Sequence, residues 1–421
     1  MIPALPAARR SFDAIVVGGG IAGSSLATVL ARAGLDVALV ERAQDFGDRV
    51  RGEALAPWGV VEARRLGLLD ALLDRAEAHP LPLWSSYADN ALRWISLPDQ
   101  DPHGEAILSF RHQRAQNALW DLAQCSGVAA YRPAHLDSIG RRNGDTTVRI
   151  DGTLLHARLV IGADGRSSRT RRALGRRCVA DEPTHTVSGL LASNTCLPPD
   201  SVLTKRVRHG RLLLFPIGAS HTRIYYMADL SQTPRLRGPR ASAEILALCQ
   251  SELDPRWFAD AAPAGPSATF PNANRWVPHP WVAGLVLVGD AAGTGDPSIG
   301  QGLSVTLRDV RELSNRLLDF SAWDEACAQY ARERLRYFQT QRMIARWTWE
   351  MDEPGPKGAR VRRGAAPGHT GEARAELMRR IRLDPARVAL GRRSRRLVLF
   401  GEEQGPMQSK NPKVRSRRAS P

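Results

Sequence analysis

Short apolar runs divide the chain and predict a buried parallel sheet. Residues 12–17, 159–161 and 285–288 are such runs, interrupted only by Asp13, and each is followed at once by glycine. A continuous apolar run of this length is typical of a strand that is covered on both faces. A further run, residues 37–40, follows the first after one helical segment. The pattern therefore predicts alternating strands and helices around a parallel sheet.

Elsewhere the spacing of apolar positions changes between helical and extended periods. Residues 211–215 and 223–227 are predicted to form paired strands around a loop with Pro216 and Gly218. Asp151-Gly152 is a hairpin turn signal. No strong helical repeat dominates residues 179–270, so we expect a separate antiparallel region there. Helical spacing predicts helices over about 58–74, 111–124, 241–253, 303–318 and 323–349.

A glycine motif follows the first strand directly. Gly18, Gly20 and Gly23 satisfy G-x-G-x-x-G, and Glu41 ends the second strand eighteen residues later. Gly18 permits the tight turn, Gly20 lets backbone approach a pyrophosphate, and Gly23 lets helix and strand pack closely. The acid is spaced to bind a ribose hydroxyl. The motif predicts a dinucleotide site, and by itself leaves NAD and FAD open.

Two more strand ends carry polar, glycine-containing loops. Asp164-Gly165 follows the strand at 159–161, where Ser168 or Thr170 could cap the next helix. Read alone, it is also compatible with an ordinary Asp-Gly turn. Gly289-Asp290 follows the strand at 285–288, and Gly300-Gln301-Gly302 opens the next helix.

Charge and cysteine content exclude several classes of protein. The net charge is +16, but residues 352–421 carry +11 of it and the first 351 residues only +5. The basic excess therefore belongs to the tail, and no specific nucleic-acid binding is expected. The five cysteines are scattered without a C-x-x-C pair, so we expect buried thiols and no metal site. No apolar run reaches membrane-span length and no signal core follows the N-terminus, which favours a cytoplasmic protein.

Together the three loops resemble the single-component (group A) FAD-dependent monooxygenases of the para-hydroxybenzoate hydroxylase type, over about residues 10–350. The resemblance implies that Asp290 binds the ribityl chain and that the backbone at 301–303 faces the flavin N1/C2 side. It also implies that Pro297 lines the substrate side of the ring. The cofactor-binding residues that the motif and the resemblance together predict are Gly18, Gly20, Ala22, Gly23, Glu41, Arg42, Arg51, Arg114, Asp164, Asp290, Gly300, Gly302 and Leu303.

The implied fold is α/β. A Rossmann-like FAD-binding domain of the glutathione-reductase type is interleaved with an antiparallel β-sheet substrate domain and followed by a C-terminal helix and a basic tail. The expected boundaries are 1–75, 107–178 and 276–350 for the FAD-binding domain, 76–106 and 179–275 for the substrate domain, and 351–421 for a partly disordered tail.

The implied activity is an NAD(P)H- and O2-dependent hydroxylation or epoxidation of a small lipophilic or aromatic substrate, through a flavin C4a-hydroperoxide. Tyr225, Tyr226 and His221 lie on the expected substrate sheet, but we assign no general base. A reductase of an isoprenoid or polyketide is the alternative. A flavin-dependent halogenase is disfavoured, because the first lysine after Glu53 is the distant Lys205 and no W-x-W-x-I-P motif is present. The sequence also leaves open a contact between the basic tail and anionic surfaces.

Overall fold

The computed structural model describes residues 11–352 of the 421-residue chain, except residues 51, 89–90, 143–144, 219 and 239. The predictions for Arg51 and for the basic tail beyond Asp352 lie outside the described residues.

The helices of the described part are α1 Ile21–Arg32, α2 Pro57–Arg65, α3 His112–Cys125, α4 Arg169–Ala173, α5 Ala241–Glu252, α6 Gly302–Asp319 and α7 Trp323–Asp352. The strands are β1 Ser11–Val17, β2 Val37–Val40, β3 Ala54–Leu55, β4 His79–Leu81, β5 Leu83–Ala88, β6 Ala91–Ser96, β7 Ile107–Ser109, β8 Ala129–Tyr131, β9 Leu136–Arg142, β10 Asp145–Ile150, β11 Thr153–Gly162, β12 Val179–Ala180, β13 His185–Ser193, β14 Ser201–Val207, β15 Gly210–Pro216, β16 His221–Asp229, β17 Ala262–Pro263, β18 Ala268–Pro271, β19 Arg275–Trp276, β20 Trp281–Val282, β21 Leu285–Leu287 and β22 Gly293–Thr294.

The predicted apolar runs form the centre of a mixed sheet. Strands β21, β11, β1, β2 and β8 pair in parallel in that order. Antiparallel β20 closes the β21 edge, and the β9–β10 hairpin extends from β11. Helices α1, α3, α6 and α7 contribute to the core on one face of this sheet. The predicted parallel sheet is confirmed.

A second sheet gathers strands from two distant parts of the chain. Its order is β17-β13-β16-β15-β14-β5-β6, with β18 also paired to β13. All of these pairs are antiparallel except β14 with β5, which the sequence did not predict. Helix α5 covers one face, where Ile245, Cys249 and Phe258 pack on the sheet. The two sheets give the interleaved α/β architecture that the resemblance implied.

Two local predictions were wrong. The helix expected over 58–74 is shorter, because Gly67 adopts a φ of +65° and ends α2; a π-helical turn, Ala71–Arg75, follows. The cysteines are not all buried: Cys249 and Cys327 are, whereas Cys125 and Cys196 are exposed. Cys125 is the last residue of α3 and Cys196 follows β13, and residues at element ends are less covered.

Candidate functional site

The carboxyl ends of β1, β11 and β21 open onto one cavity of about 750 Å³. This edge is where open α/β sheets bind ligands. The cavity is continuous with one face of the antiparallel sheet, so both sheets contribute to its wall. The predicted site residues that line it are Gly18, Gly20, Ala22, Glu41, Arg42, Asp164, Asp290, Pro297, Gly300, Gly302 and Leu303.

The turn after β1 is tight and leads into an uncapped helix. Gly18 has a φ of +107°, and a Cβ there would lie 2.5 Å from the carbonyl oxygen of Ala163. A Cβ on Gly23 would lie 1.8 Å from the carbonyl oxygen of Gly18, so Gly23 serves packing and does not line the cavity. Helix α1 has no side-chain cap and no acid in its first turn. Its positive N-terminal end is therefore available to an anion.

Glu41 lies just beyond β2, beside this turn. Its carboxylate accepts hydrogen bonds from the backbone N–H groups of Gly19 and Ala43, both at 2.8 Å. Each carboxylate oxygen accepts one of the two bonds, which leaves lone pairs toward the cavity that Glu41 lines. A fixed carboxylate at this place is suited to the hydroxyls of a ribose.

Asp164 has a structural role that its Asp-Gly context suggested. Its carboxylate accepts from the backbone N–H groups of Arg169 (2.6 Å) and Thr170 (3.0 Å), and from the hydroxyls of Ser168 and Thr170 (both 2.5 Å). Ser168 itself caps α4 by accepting from Arg171 N–H at 2.8 Å. The loop after β11 is therefore held rigid at the cavity wall.

Helix α6 points a second N-terminus into the cavity. Its cap residue, Gln301, makes no side-chain cap, and the first turn has no acid. Gln301 is instead held by Trp58, whose Nε1 donates to Oε1 at 2.6 Å. Gly300 before it has a φ of +65°, and a Cβ on Gly302 would meet nothing within 4 Å. The backbone here is open to a planar ligand and carries the positive end of the helix dipole.

A buried ionic network supports the loop that carries Asp290. Asp309 on α6 accepts from Gly289 N–H at 2.8 Å, from Arg334 Nε at 2.9 Å and from the Tyr337 hydroxyl. Burial opposes the charge of Arg334, but Asp309 together with Tyr330 and Tyr337 outweighs burial and raises the pKa of Arg334. Arg334 and Tyr337 come from α7, so the two helices fix this loop jointly.

The far wall of the cavity is mostly apolar and comes from the antiparallel sheet. Thr204 and Arg211 are polar residues that this sheet contributes. Nη2 of Arg211 lies 3.4 Å from the carbonyl oxygen of Ser298. The aliphatic and aromatic side chains of this wall are Trp84, Val187, Val202, Leu213, Phe215, Tyr225, Met227 and Phe270. A wall of this kind favours a lipophilic ligand.

Glu53 and Arg223 form a buried ion pair at the base of that wall. Arg223 donates to Glu53 through Nε, and through Nη2 at 2.8 Å, with both side chains at most 1% exposed. Burial raises the pKa of Glu53, and Arg223 opposes the rise. Burial next to this carboxylate also raises the pKa of Tyr225, so that its phenol stays protonated. The sequence did not predict this pair, because its members are 170 residues apart.

The structure does not bring Arg114 to the cavity. Arg114 pairs with Glu77 and its side chain is 45% exposed. His112 and Gln116 of the same helix line the cavity instead. These two positions are one helical turn apart, whereas Arg114 lies about 200° round the helix from His112. The i, i+4 spacing was the signal that could have identified them.

Lys205, the single lysine of the described part of the chain, also does not line the cavity. Its ammonium lies 3.3 Å from a carboxylate oxygen of Glu252 and 5.0 Å from the Tyr87 ring.

None of the helices in the described residues combines the length and the apolar content that a membrane span requires. In the same residues no cluster of three His, Cys, Asp or Glu side chains is arranged to hold a metal ion.

Comparison with known proteins agrees with this geometry. A family described as "FAD binding domain" matches residues 11–343. The chain is 28% identical over 323 residues to squalene epoxidase 3 of Arabidopsis thaliana, covering 73% of this chain and 61% of that protein. It is 28% identical over 349 residues to 3-demethoxyubiquinol 3-hydroxylase of Escherichia coli, covering 78% of this chain and 84% of that protein. The chain thus spans less than two thirds of the length of the plant relative.

Solved structures share the fold. A PqsL variant from P. aeruginosa has a TM-score of 0.68 at 21% identity, covering 82% of this chain and 97% of its own. The myxobacterial chondrochloren halogenase CndH has a TM-score of 0.70 at 20% identity, covering 82% and 84%. Because both identities are low, these likenesses describe the fold alone.

Proposed function

Because the chain belongs to the FAD binding domain family, we propose that it is an FAD-dependent monooxygenase that acts on a small lipophilic or aromatic substrate with NAD(P)H and O2. The observation that carries the proposal is that the uncapped N-termini of α1 and α6 open into one cavity opposite an apolar wall. FAD has a diphosphate for the first and a flavin ring for the second.

The residues present fit this cofactor. The turn from Gly18 to Gly20 has no side chain that would keep a pyrophosphate from the backbone, and Glu41 is placed for the adenosine ribose. Asp290 lines the same cavity and would bind the hydroxyls of the ribityl chain. Leu303 and the backbone of Gly302 would lie against the ring. Bound FAD would supply the electron transfer and the oxygen activation, for which protein side chains have no equivalent.

The protein's own contribution is binding, orientation and exclusion of water. The α6 dipole favours negative charge on the adjacent part of the ring. The apolar wall, including Leu213, Phe215 and Tyr225, would hold the substrate and exclude water beside Pro297. Exposed Arg42, Arg49 and Arg166 line the same cavity beside Asp45 and Asp48, and their guanidinium groups suit the phosphates of a visiting NAD(P)H.

Two relatives support an oxygenase over the reductase alternative. Squalene epoxidase 3 and 3-demethoxyubiquinol 3-hydroxylase carry oxygen-insertion activities in their names, and both names refer to lipophilic substrates. A halogenase stays the weaker alternative, because no lysine among the described residues lines the cavity. A cytoplasmic location stays a prediction from the sequence.

The test follows NAD(P)H oxidation by the purified, FAD-loaded protein while lipophilic phenols, quinols and polyenes are added one at a time. A monooxygenase oxidises NAD(P)H faster with its substrate and transfers one atom of labelled O2 to the product. Oxidation that is accelerated without O2 uptake identifies the reductase instead. Product bearing added chloride or bromide identifies the halogenase. Either result contradicts the proposal.

A further inference from the structure

A buried polar network connects the end of helix α7 to the cavity wall next to Pro297. At its cavity end is Asp296, which is 8% exposed and lines the cavity. Asp296 accepts from Ser298 N–H at 2.9 Å through Oδ1 and from Asn272 Nδ2 at 2.8 Å through Oδ2. Its own N–H donates to Asn274 Oδ1 at 2.8 Å. These bonds fix the turn Pro297–Ile299, which leads into Gly300 and the N-terminus of α6.

His185, the first residue of β13, lies against this carboxylate. The ring is fully buried, and its Nε2 is 3.8 Å from Asp296 Oδ1 without any hydrogen-bond partner. Its Nδ1 is 3.0 Å from the Thr184 hydroxyl, which also accepts from Asn272 Nδ2 at 3.1 Å. The hydroxyl proton is therefore free to point at Nδ1. That arrangement leaves the ring proton on Nε2, facing the carboxylate, which is the electrostatically favourable tautomer.

Helix α7 holds the ring from the other side. Trp349 stacks on His185 with ring centroids 3.8 Å apart and an interplanar angle of 16°. A second connection runs from Arg342, which donates to Asp181 through Nε at 3.0 Å and Nη2 at 2.5 Å. Asp181 in turn accepts from Asn274 Nδ2 at 2.9 Å. Both connections end on Asp296, so two separate chains of contacts link α7 to the turn before α6.

We propose that His185 is a positioning residue: clamped between Trp349 and Asp296, it sets the conformation of residues 296–302 and thereby the place of the backbone that faces the flavin ring. The conformation of residues 296–302 is a property of the protein alone, whereas its effect on the flavin ring rests on the proposed function. His185 does not line the cavity, so it acts through Asp296 and not by contact with substrate or cofactor.

Two substitutions separate the two contacts of the ring. His185→Phe keeps an aromatic ring for Trp349 but removes both nitrogens, whereas His185→Gln keeps an N–H near the position of Nε2 but loses the stacking. His156→Phe is the matched control, since His156 is a half-buried histidine on β11 that does not line the cavity. Trp349→Leu tests the same clamp from α7 and remains informative if a His185 variant fails to fold.

The first measurement is amide hydrogen exchange of residues 296–302 in the full-length protein as purified. We expect exchange to speed up at least tenfold in His185→Phe and Trp349→Leu, with partial rescue in His185→Gln and no change in His156→Phe. Exchange equal to that of the wild type in both of the first two variants overturns the proposal, even if their melting temperatures fall.

The second measurement is the visible spectrum and the reduction potential of FAD bound to the same variants. We expect both to change in His185→Phe and to return toward the wild-type values in His185→Gln. Faster exchange with an unchanged spectrum and potential overturns the claim that the clamp reaches the flavin. If the wild type binds no FAD but the exchange effect is present, the proposed function fails while the positioning role of His185 holds.

Discussion

At the scale of single residues, two glycines of one motif have different roles. Substituting one should weaken FAD binding, and substituting the other should destabilise the fold. A Cβ on Gly20 would make only an ordinary contact, 3.6 Å from Gln116 Nε2, but it would face the cavity. Gly20→Ala should leave the melting temperature nearly unchanged and weaken FAD binding about tenfold, or about 1.4 kcal/mol. Gly23→Ala should instead destabilise the fold by about 1–3 kcal/mol, because its Cβ would overlap the Gly18 carbonyl. Titration with FAD and thermal melts measure both effects; equal loss of affinity and stability in the two variants would contradict this division of roles.

A second prediction concerns the buried Glu53–Arg223 pair. Glu53→Gln leaves the guanidinium buried without its counter-charge, so the free energy of unfolding should fall by about 3–5 kcal/mol. Adding Arg223→Met removes that charge and should recover part of the loss. Denaturant unfolding measures both variants. Arg64→Met is the control: it breaks a partly exposed pair with Glu105 and should cost at most about 1 kcal/mol. A double variant less stable than Glu53→Gln would refute the explanation.

Residues that act through local backbone geometry could be predicted from the sequence, and residues that act through long-range pairs could not. Gly18, Gly20 and Glu41 were visible because strand, turn and helix occur in register within about thirty residues. Glu53 and Arg223 could not be predicted as a pair, because nothing local in the sequence relates two positions 170 residues apart. Arg114 does not line the cavity, because its assignment rested on the family's helix and not on which face of α3 meets the cavity.

At the scale of secondary-structure elements, the contact of β13 with α7 makes a pH-dependence testable. Burial lowers the pKa of His185 to about 4; Asp296 opposes this shift and Arg211 adds to it. Because the unfolded chain has a histidine pKa of about 6.5, it binds the proton first as the pH falls. The contribution of neutral, buried His185 to the free energy of unfolding is therefore complete above about pH 6.5. It is lost progressively toward pH 4, by about 3 kcal/mol in total.

The measurement is the free energy of unfolding of the wild type minus that of His185→Phe, taken from pH 6.5 to pH 4. Taking the difference removes the titration of groups common to both proteins. Glu53 is one of them, and its raised pKa makes the folded protein more stable on acidification, opposite to the effect of His185. The difference should shrink by about 3 kcal/mol on acidification. A difference that stays constant from pH 6.5 to pH 4 would show that His185 is not held neutral by its burial.

Element boundaries were predictable where a single residue determines them. Ser168 caps α4 as expected, and Gly34, with a φ of +89°, follows the end of α1. The Asp151-Gly152 turn joins β10 to β11. The parallel pairing of β14 with β5 was not predictable, because it joins segments more than a hundred residues apart. Nor did helical spacing reveal that α7 supports two loops of the cavity through Arg334 and Trp349.

At the scale of the whole molecule, two sheets meet at one cavity and each provides a different chemistry. The parallel sheet presents helix ends, glycine turns and Glu41, which suit a charged, polyhydroxylated cofactor. The antiparallel sheet presents apolar side chains, which suit a lipophilic substrate. Ligand binding to the native state alone stabilises it by mass action, so FAD at a hundred times its dissociation constant should add about 2.7 kcal/mol to the free energy of unfolding.

The measurement that tests the central claim most directly is the equilibrium binding of FAD to the full-length protein. The purified protein should be yellow, or become so on addition of FAD, with one FAD bound per chain, and Gly20→Ala should bind it about tenfold more weakly. A folded, colourless protein that binds no added FAD would contradict the account, and so would FAD binding that Gly20→Ala leaves unchanged.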